Sequence, residues 1–310
     1  MKNKINFLSI VIPVYNDEEV LQELYKRLNP VVTNLTNNYE FILIDDGSKD
    51  RSWDEIRKLR SIDNNVVAVK LARNFGQQNS IAAGLSQAKG NIIVLMDSDL
   101  QDRPEDIPLL IDALFEHNVP MAIAQWQHRE DSLIKKTVSK LNYKISDKIS
   151  DVHTQPNLGV FRAMKKSIVD ELNNFQEKTS TTLSLLYYIG SNYVCVPLIR
   201  DARFAGKSGY NIRKMLSLSF SRIFSFSMFP IRLATYTGVS VSIISFVFGI
   251  IFIIRRILGL VAPGWTSIVV LILFLFGINF AFLGILGEYI GRIFLETKQR
   301  PKFIIETIEK

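Results

Sequence analysis

Asp97-Ser98-Asp99-Leu100-Gln101-Asp102 places carboxylates and an amide oxygen at short spacing directly after the apolar run Asn91-Ile92-Ile93-Val94-Leu95-Met96. Side chains two apart on an extended chain project to one side, so Asp97 and Asp99 are expected to converge while Ser98 faces away. Two such anions repel unless a cation joins them, and a hard divalent ion that prefers oxygen would bridge them to a diphosphate. Gln101 offers a further neutral oxygen ligand. The pattern suits stabilisation of a phosphate leaving group.

Three other polar clusters sit at comparable points. Pro13-Val14-Tyr15-Asn16 closes the run 7–14, Asp45-Asp46-Gly47-Ser48 follows 40–44, and Arg73-Asn74-Phe75-Gly76 follows 66–71. A single aspartate after a strand is commonly a turn former or a cap. Four clusters after four apolar runs point to one crevice instead. Those runs are predicted strands, nearly continuous in apolar residues as parallel strands buried on both faces are. Helices are predicted between them: one capped by Asn16-Asp17-Glu18-Glu19 and running to about residue 35, then 52–62 and 77–88. Such alternation gives βαβ units in a mostly parallel sheet, whose ligands gather at the carboxyl ends of the strands.

Segments 233–254 and 264–287 contain no Asp, Glu, Lys, Arg or His. As helices they reach about 33 Å and about 36 Å, against about 30 Å of bilayer hydrocarbon. Pro263-Gly264 breaks the chain between them, so they read as a transmembrane hairpin. Arg213, Lys214, Arg222 and Arg232 precede the first segment, and Arg292, Lys298, Arg300 and Lys302 follow the second, against Arg255 and Arg256 in the loop. The positive-inside rule then predicts cytoplasmic termini and a multi-pass protein of the inner (plasma) membrane. The expected partition is a cytoplasmic domain over 1–210, amphipathic membrane-surface helices over 211–232, the hairpin over 233–287 and a tail over 288–310. A net charge of +7, concentrated near these segments, favours a lipid surface over nucleic acid. Cys195 reads as a buried strand thiol, and His117, His128 and His153 lack metal-ligand spacing. Glycines 238, 249, 277, 284 and 287 allow close helix approach, compatible with a homo-oligomer.

Val11-Ile12-Pro13-Val14-Tyr15-Asn16, Asp45-Asp46-Gly47-Ser48, Asn74-Phe75-Gly76, Ala83-Gly84-Leu85 and the run 96–102 together resemble family 2 glycosyltransferases. Within that family the chain is similar to the polyprenyl-phosphate glycosyltransferases. The resemblance implies a glycosyltransferase A-type, Rossmann-like sheet that takes a nucleoside diphosphate sugar as donor and a polyprenyl phosphate as acceptor. It implies that Pro13, Tyr15, Asn16, Asp45, Asp97 and Ser98 bind the donor. By the same token Asp97, Asp99 and Gln101 hold Mg2+ or Mn2+. The acceptor phosphate falls to Arg129, Lys135, Lys136, Arg162 and Lys207, with Asp99, Arg129 and Arg203 the residues carrying catalysis. Val160 stands where many relatives have an acid, which removes the carboxylate expected of a general base.

Overall fold

The computed structural model describes residues 5–127, 155, 157–190, 192–201, 229–258 and 264–310. Alternation of short strands and helices follows the sequence pattern closely: β1 (Leu8–Val14), α1 (Leu21–Leu35), β2 (Tyr39–Asp45), α2 (Ser52–Ile62), β3 (Val66–Leu71), α3 (Gln77–Gln87) and β4 (Ile92–Leu95). After a 3-10 turn at Pro104–Asp106 come α4 (Ile107–Glu116), β5 (Met121–Trp126), β6 (Leu158–Lys165), α5 (Lys166–Asn174), α6 (Thr182–Ile189) and β7 (Tyr193–Leu198). Two long helices, α7 (Phe229–Ile257) and α8 (Trp265–Thr297), precede a last strand, β8 (Ile305–Glu309).

The strands form one sheet in the order β7-β5-β6-β4-β1-β2-β3-β8. Strands β3, β2, β1 and β4 run parallel, β6 is antiparallel to β4 and β5, and β8 is antiparallel to β3. Both faces are covered, which explains the uninterrupted apolar runs. Ile10, Ile12, Phe41 and Leu43 pack with Leu24 of α1, Ile56 of α2 and Leu110 of α4, whereas the alternate residues Val11, Ile42 and Ile44 pack with Ile81 of α3 and Leu186 of α6. The chain moves from β1 outward to β2 and β3, then crosses to the other side of β1 for β4. That reversal opens a crevice above the carboxyl ends of β1 and β4.

Close packing at the opposite end of these strands leaves no room at Gly90. A Cβ there would lie 2.6 Å from the Ser9 amide nitrogen and 2.7 Å from the Ile92 carbonyl oxygen. Nearby, the Ser9 hydroxyl donates to Glu40 and accepts from the Gly90 N–H, while Glu40 also accepts from the Lys89 N–H. Because backbone rather than a flexible side chain stands in the way, Gly90→Ala is expected to cost about 3 kcal/mol. Thermal melting of the purified variant, read against wild type, checks this.

Three expectations change. The first helix starts at Leu21, with Val20 at its N-cap and no side-chain cap bond, because Asn16 and Asp17 are engaged by the neighbouring loop instead. Cys195 is half-buried rather than buried. Residues 305–309, expected in a tail, pair with β3, and Lys70–Glu306 and Arg57–Glu309 ion pairs flank the new edge.

Helices α7 and α8 contain stretches long and apolar enough to cross a membrane, Ile231–Ile251 and Phe274–Thr297, and none of the residues described in them is buried. At about 1.5 Å per residue α8 is about 50 Å long and outruns a bilayer core. Its last turn is fixed to the α/β domain. The Glu296 carboxylate accepts from the Lys178 and Thr179 amides and the Thr179 hydroxyl, at 2.7 to 2.9 Å. The amphipathic segment expected over 211–232 lies outside the described residues up to 228.

Candidate active site

Asp45 is the last residue of β2 and is 1% exposed. Its Oδ1 accepts the Ser48 N–H at 3.0 Å, while its Oδ2 is buried with no hydrogen-bond partner. Burial pushes this carboxyl above the usual range, opposed by the Ser48 hydrogen bonds and the charge of Lys70. An orphaned buried acceptor is costly unless a ligand supplies the donor. Next to it, Asp46 accepts the Phe75 and Gly76 amides at 2.8 and 2.9 Å and so fixes the loop that opens α3. Gly47 follows them at φ +67°, where a Cβ would come within 2.5 Å of the Asn74 nitrogen. Only glycine suits both the left-handed backbone and that approach.

The loop after β1 is tied to the loop after β2. Asn16, at φ 54°, donates its N–H to the Ser48 hydroxyl, and its Oδ1 accepts from the Lys49 amide. Asp17 donates its N–H to Ser52 Oγ and accepts from Ser98 Oγ at 2.5 Å. Tyr15 remains 41% exposed, with its ring available to a ligand. Through Asp17 and Ser98 the ends of β1, β2 and β4 become one crevice, as the sequence pattern requires.

Strand β4 stops at Leu95, so the carboxylates stand on a turn rather than on extended chain. Leu100 takes φ 58° and is buried, and the Asp97 N–H donates to Asp102 Oδ2 at 3.3 Å. Asp97 and Asp99 both lie near enough to Asp102 for their charges to raise its pKa, although burial is the larger cause. Asp97 Oδ1 accepts from the Gln77 amide at 2.7 Å, and Asp99 Oδ1 accepts from the Gln101 N–H at 3.2 Å. The Gln101 side chain donates to the Asp201 carbonyl, and Asp201 pairs with Arg103.

Among the described residues no group of three His, Cys, Asp or Glu side chains gathers to hold a metal. The donors fit a hard divalent cation nonetheless, provided that the two carboxylates Asp97 and Asp99 are joined by oxygens of a bound diphosphate. Two carboxylates alone would suit an open site completed by a ligand's oxygens, not a closed structural site.

Arg162 departs from its expected place at the acceptor phosphate. It is fully buried, donating to the Val160 and Gly159 carbonyls at 2.9 and 2.8 Å and to the Tyr187 hydroxyl at 3.2 Å, with its guanidinium 4.9 Å from the Tyr187 ring. Its donors are spent inside the core. Arg129, Lys135, Lys136, Arg203 and Lys207 lie outside the described residues, as do His128 and His153. Conversely, the structure brings in Asp46, Gln77 and Asp102, to which sequence assigned no part in the site, and it sets Asp17, expected only to cap a helix, and Arg200, expected only as one of several basic residues near the site, within the crevice. Asp102 carried the clearest signal, since it closes the same acidic run as Asp97 and Asp99.

Residues 9–172 match Glycosyl transferase family 2. The chain belongs to that family. It is 36% identical over 299 residues to an uncharacterized glycosyltransferase, YkcC, of Bacillus subtilis (strain 168), covering 96% of this chain and 93% of the relative. The bactoprenol glucosyl transferase of Shigella phage SfV is 36% identical over 301 residues, covering 96% and 98% of the two chains. Such near-complete coverage bears out the likeness to the polyprenyl-phosphate subgroup. A glucosyl-3-phosphoglycerate synthase of Mycobacterium tuberculosis, in complex with Mn2+, UDP and glucosyl-3-phosphoglycerate, superposes with a TM-score of 0.52 at 19% identity over 72% of this chain and 79% of that one. At that identity it establishes the glycosyltransferase A-type fold alone.

Proposed function

We propose that this glycosyltransferase moves a hexose from a nucleoside diphosphate sugar, a UDP-sugar in the first instance, to a polyprenyl phosphate, with inversion at the anomeric carbon. One observation carries the reading: the Asp97/Asp99 turn opens into a crevice of an α/β domain that is hydrogen-bonded, through Glu296, to a helix of membrane length. A water-borne donor and a lipid-borne acceptor meet only in such a place. The similarity to a bactoprenol glucosyl transferase supports the same choice of acceptor.

The crevice supplies what transfer demands. Tyr15 and Asn16 just beyond β1 and the unpaired Oδ2 of Asp45 would receive the base and ribose, and Ser98 would lie on the diphosphate side. Asp97 and Asp99 would hold a divalent cation, which when bound neutralises charge on the departing diphosphate. The second pKa of a phosphate monoester is about 6, so the acceptor is largely dianionic at neutral pH and needs no general base. Its oxygen attacks the anomeric carbon from the face opposite the diphosphate, the bond to the diphosphate breaks, and no proton has to be removed. Val160, in place of an acid, agrees with this chemistry. The protein's task is to position two anions and screen them, for which Arg129, Lys135, Lys136, Arg203 and Lys207 remain the proposed acceptor-side groups.

Full-length protein in detergent, given a panel of nucleoside diphosphate hexoses with a short-chain polyprenyl phosphate, is expected to yield a polyprenyl-phosphate hexose of the corresponding mass. Transfer to saccharides or glycolipids in preference to the lipid phosphate would overturn the proposal. Excess EDTA is expected to lower the rate by at least about 100-fold, with recovery on adding Mn2+ or Mg2+. A rate indifferent to chelation would remove the cation from the scheme.

A further inference from the structure

Arg200 follows β7 and enters the acidic end of the crevice, yet no hydrogen bond from its Nε closes there. Its Nη2 lies 3.9 Å from Asp97 Oδ2, and its Nε lies 3.8 Å from Asp102 Oδ1. Arg200 Nε and Asp102 Oδ1 are both buried without a hydrogen-bond partner. These separations are too long for hydrogen bonds, so the attraction is Coulombic. The guanidinium is held instead by stacking 5.4 Å from the ring centroid of Trp126, itself 4% exposed. Asp97 and Asp102 thus both face this guanidinium, and the charge of Asp99 also reaches Asp102. Without some cation beside it, the acidic turn would repel itself.

We propose that Arg200 is a resident counter-ion, a positioning residue that holds the Asp97 carboxylate in the ligand-free protein and competes with a divalent cation for it. The inference rests on the assignment of Asp97 and Asp99 as cation ligands made above. Arg200 keeps the turn intact when no cation is present. It also keeps cation affinity low until nucleotide brings additional oxygen donors. The loose pairing is what makes the arrangement reversible, since a guanidinium that has formed no hydrogen bond to Asp97 gives up little on losing it.

The experiment is direct binding of Mn2+ to full-length protein in detergent, read from the paramagnetic resonance signal of free Mn2+, with and without UDP. Arg200→Gln is expected to bind Mn2+ about tenfold more tightly than wild type in the absence of nucleotide, because a positive charge beside the site is removed. Arg200→Lys keeps the charge, so its affinity is expected to stay within about threefold of wild type. In melting experiments R200Q is expected to gain more from Mn2+ over EDTA than wild type does. Equal or weaker Mn2+ binding by R200Q overturns the inference. Should R200Q fail to fold, R200K decides: retained affinity supports a charge role, and a fall of about tenfold assigns Arg200 to shape instead. If wild type binds Mn2+ with UDP but R200Q does not tighten, the counter-ion role alone falls. If wild type binds no Mn2+ even with UDP, the cation assignment falls and takes this inference with it.

Discussion

Asp99→Asn is expected to slow sugar transfer by about 100- to 1,000-fold while leaving the melting temperature nearly unchanged. The two effects separate because of where Asp99 stands. It is half-buried on the turn beyond β4, and the backbone bond it accepts, from Gln101 N–H at 3.2 Å, can be made equally by an amide oxygen. What the amide lacks is the negative charge that would hold a cation against the diphosphate. Turnover of donor with polyprenyl phosphate, alongside a melting curve, measures both quantities. A variant within tenfold of wild-type rate would show that Asp99 is no cation ligand, and a large drop in melting temperature would make it structural.

Arg162→Ala is expected to act in the opposite way, costing about 3–5 kcal/mol of stability. Removing the side chain strips the donors from two carbonyls and the Tyr187 hydroxyl and empties the space beside Met121 and the Tyr187 ring. For a domain of this size the melting temperature is expected to fall by about 10 °C. Arg162→Lys distinguishes the core role from a phosphate contact. The shorter point charge cannot reproduce the forked set of donors, so it too loses stability, whereas a phosphate ligand would instead show a raised KM for the lipid with melting unchanged.

Sequence made the centre of the sheet legible because burial on both faces leaves a plain mark: β3 and α2 fall within their predicted bounds, and β1, β2 and β4 within a residue or so. The site followed, since polar clusters at the ends of such strands have one place to meet. What escaped was whatever depends on partners distant in the chain. Arg162 carries a charge and so reads as surface, and nothing local reveals that the Tyr187 ring and hydroxyl, 25 residues further on, help to enclose it. Arg200 and Asp102 gain significance only from lying near each other, and neither position announces the other. The start of α1 was misplaced because Asn16 and Asp17 look like caps, while the serines that claim them, Ser48 in the next loop and Ser52 at the start of α2, lie more than thirty residues on. Ile305-Glu306-Thr307-Ile308-Glu309 alternates as an edge strand does, yet so short and charged a segment has no identity until β3 is there to receive it.

That final strand imposes a parity rule on membrane insertion. A chain that crosses a bilayer twice between β7 and β8 returns to the compartment it left, and one that crosses once is stranded opposite its own sheet. In a misinserted molecule the backbone groups along the outer side of β3 would stay bare, a template for pairing with other chains. If α7 and α8 do cross a bilayer, correctly threaded copies would seal themselves, and the pairing of β8 with β3 would act as a check on the threading.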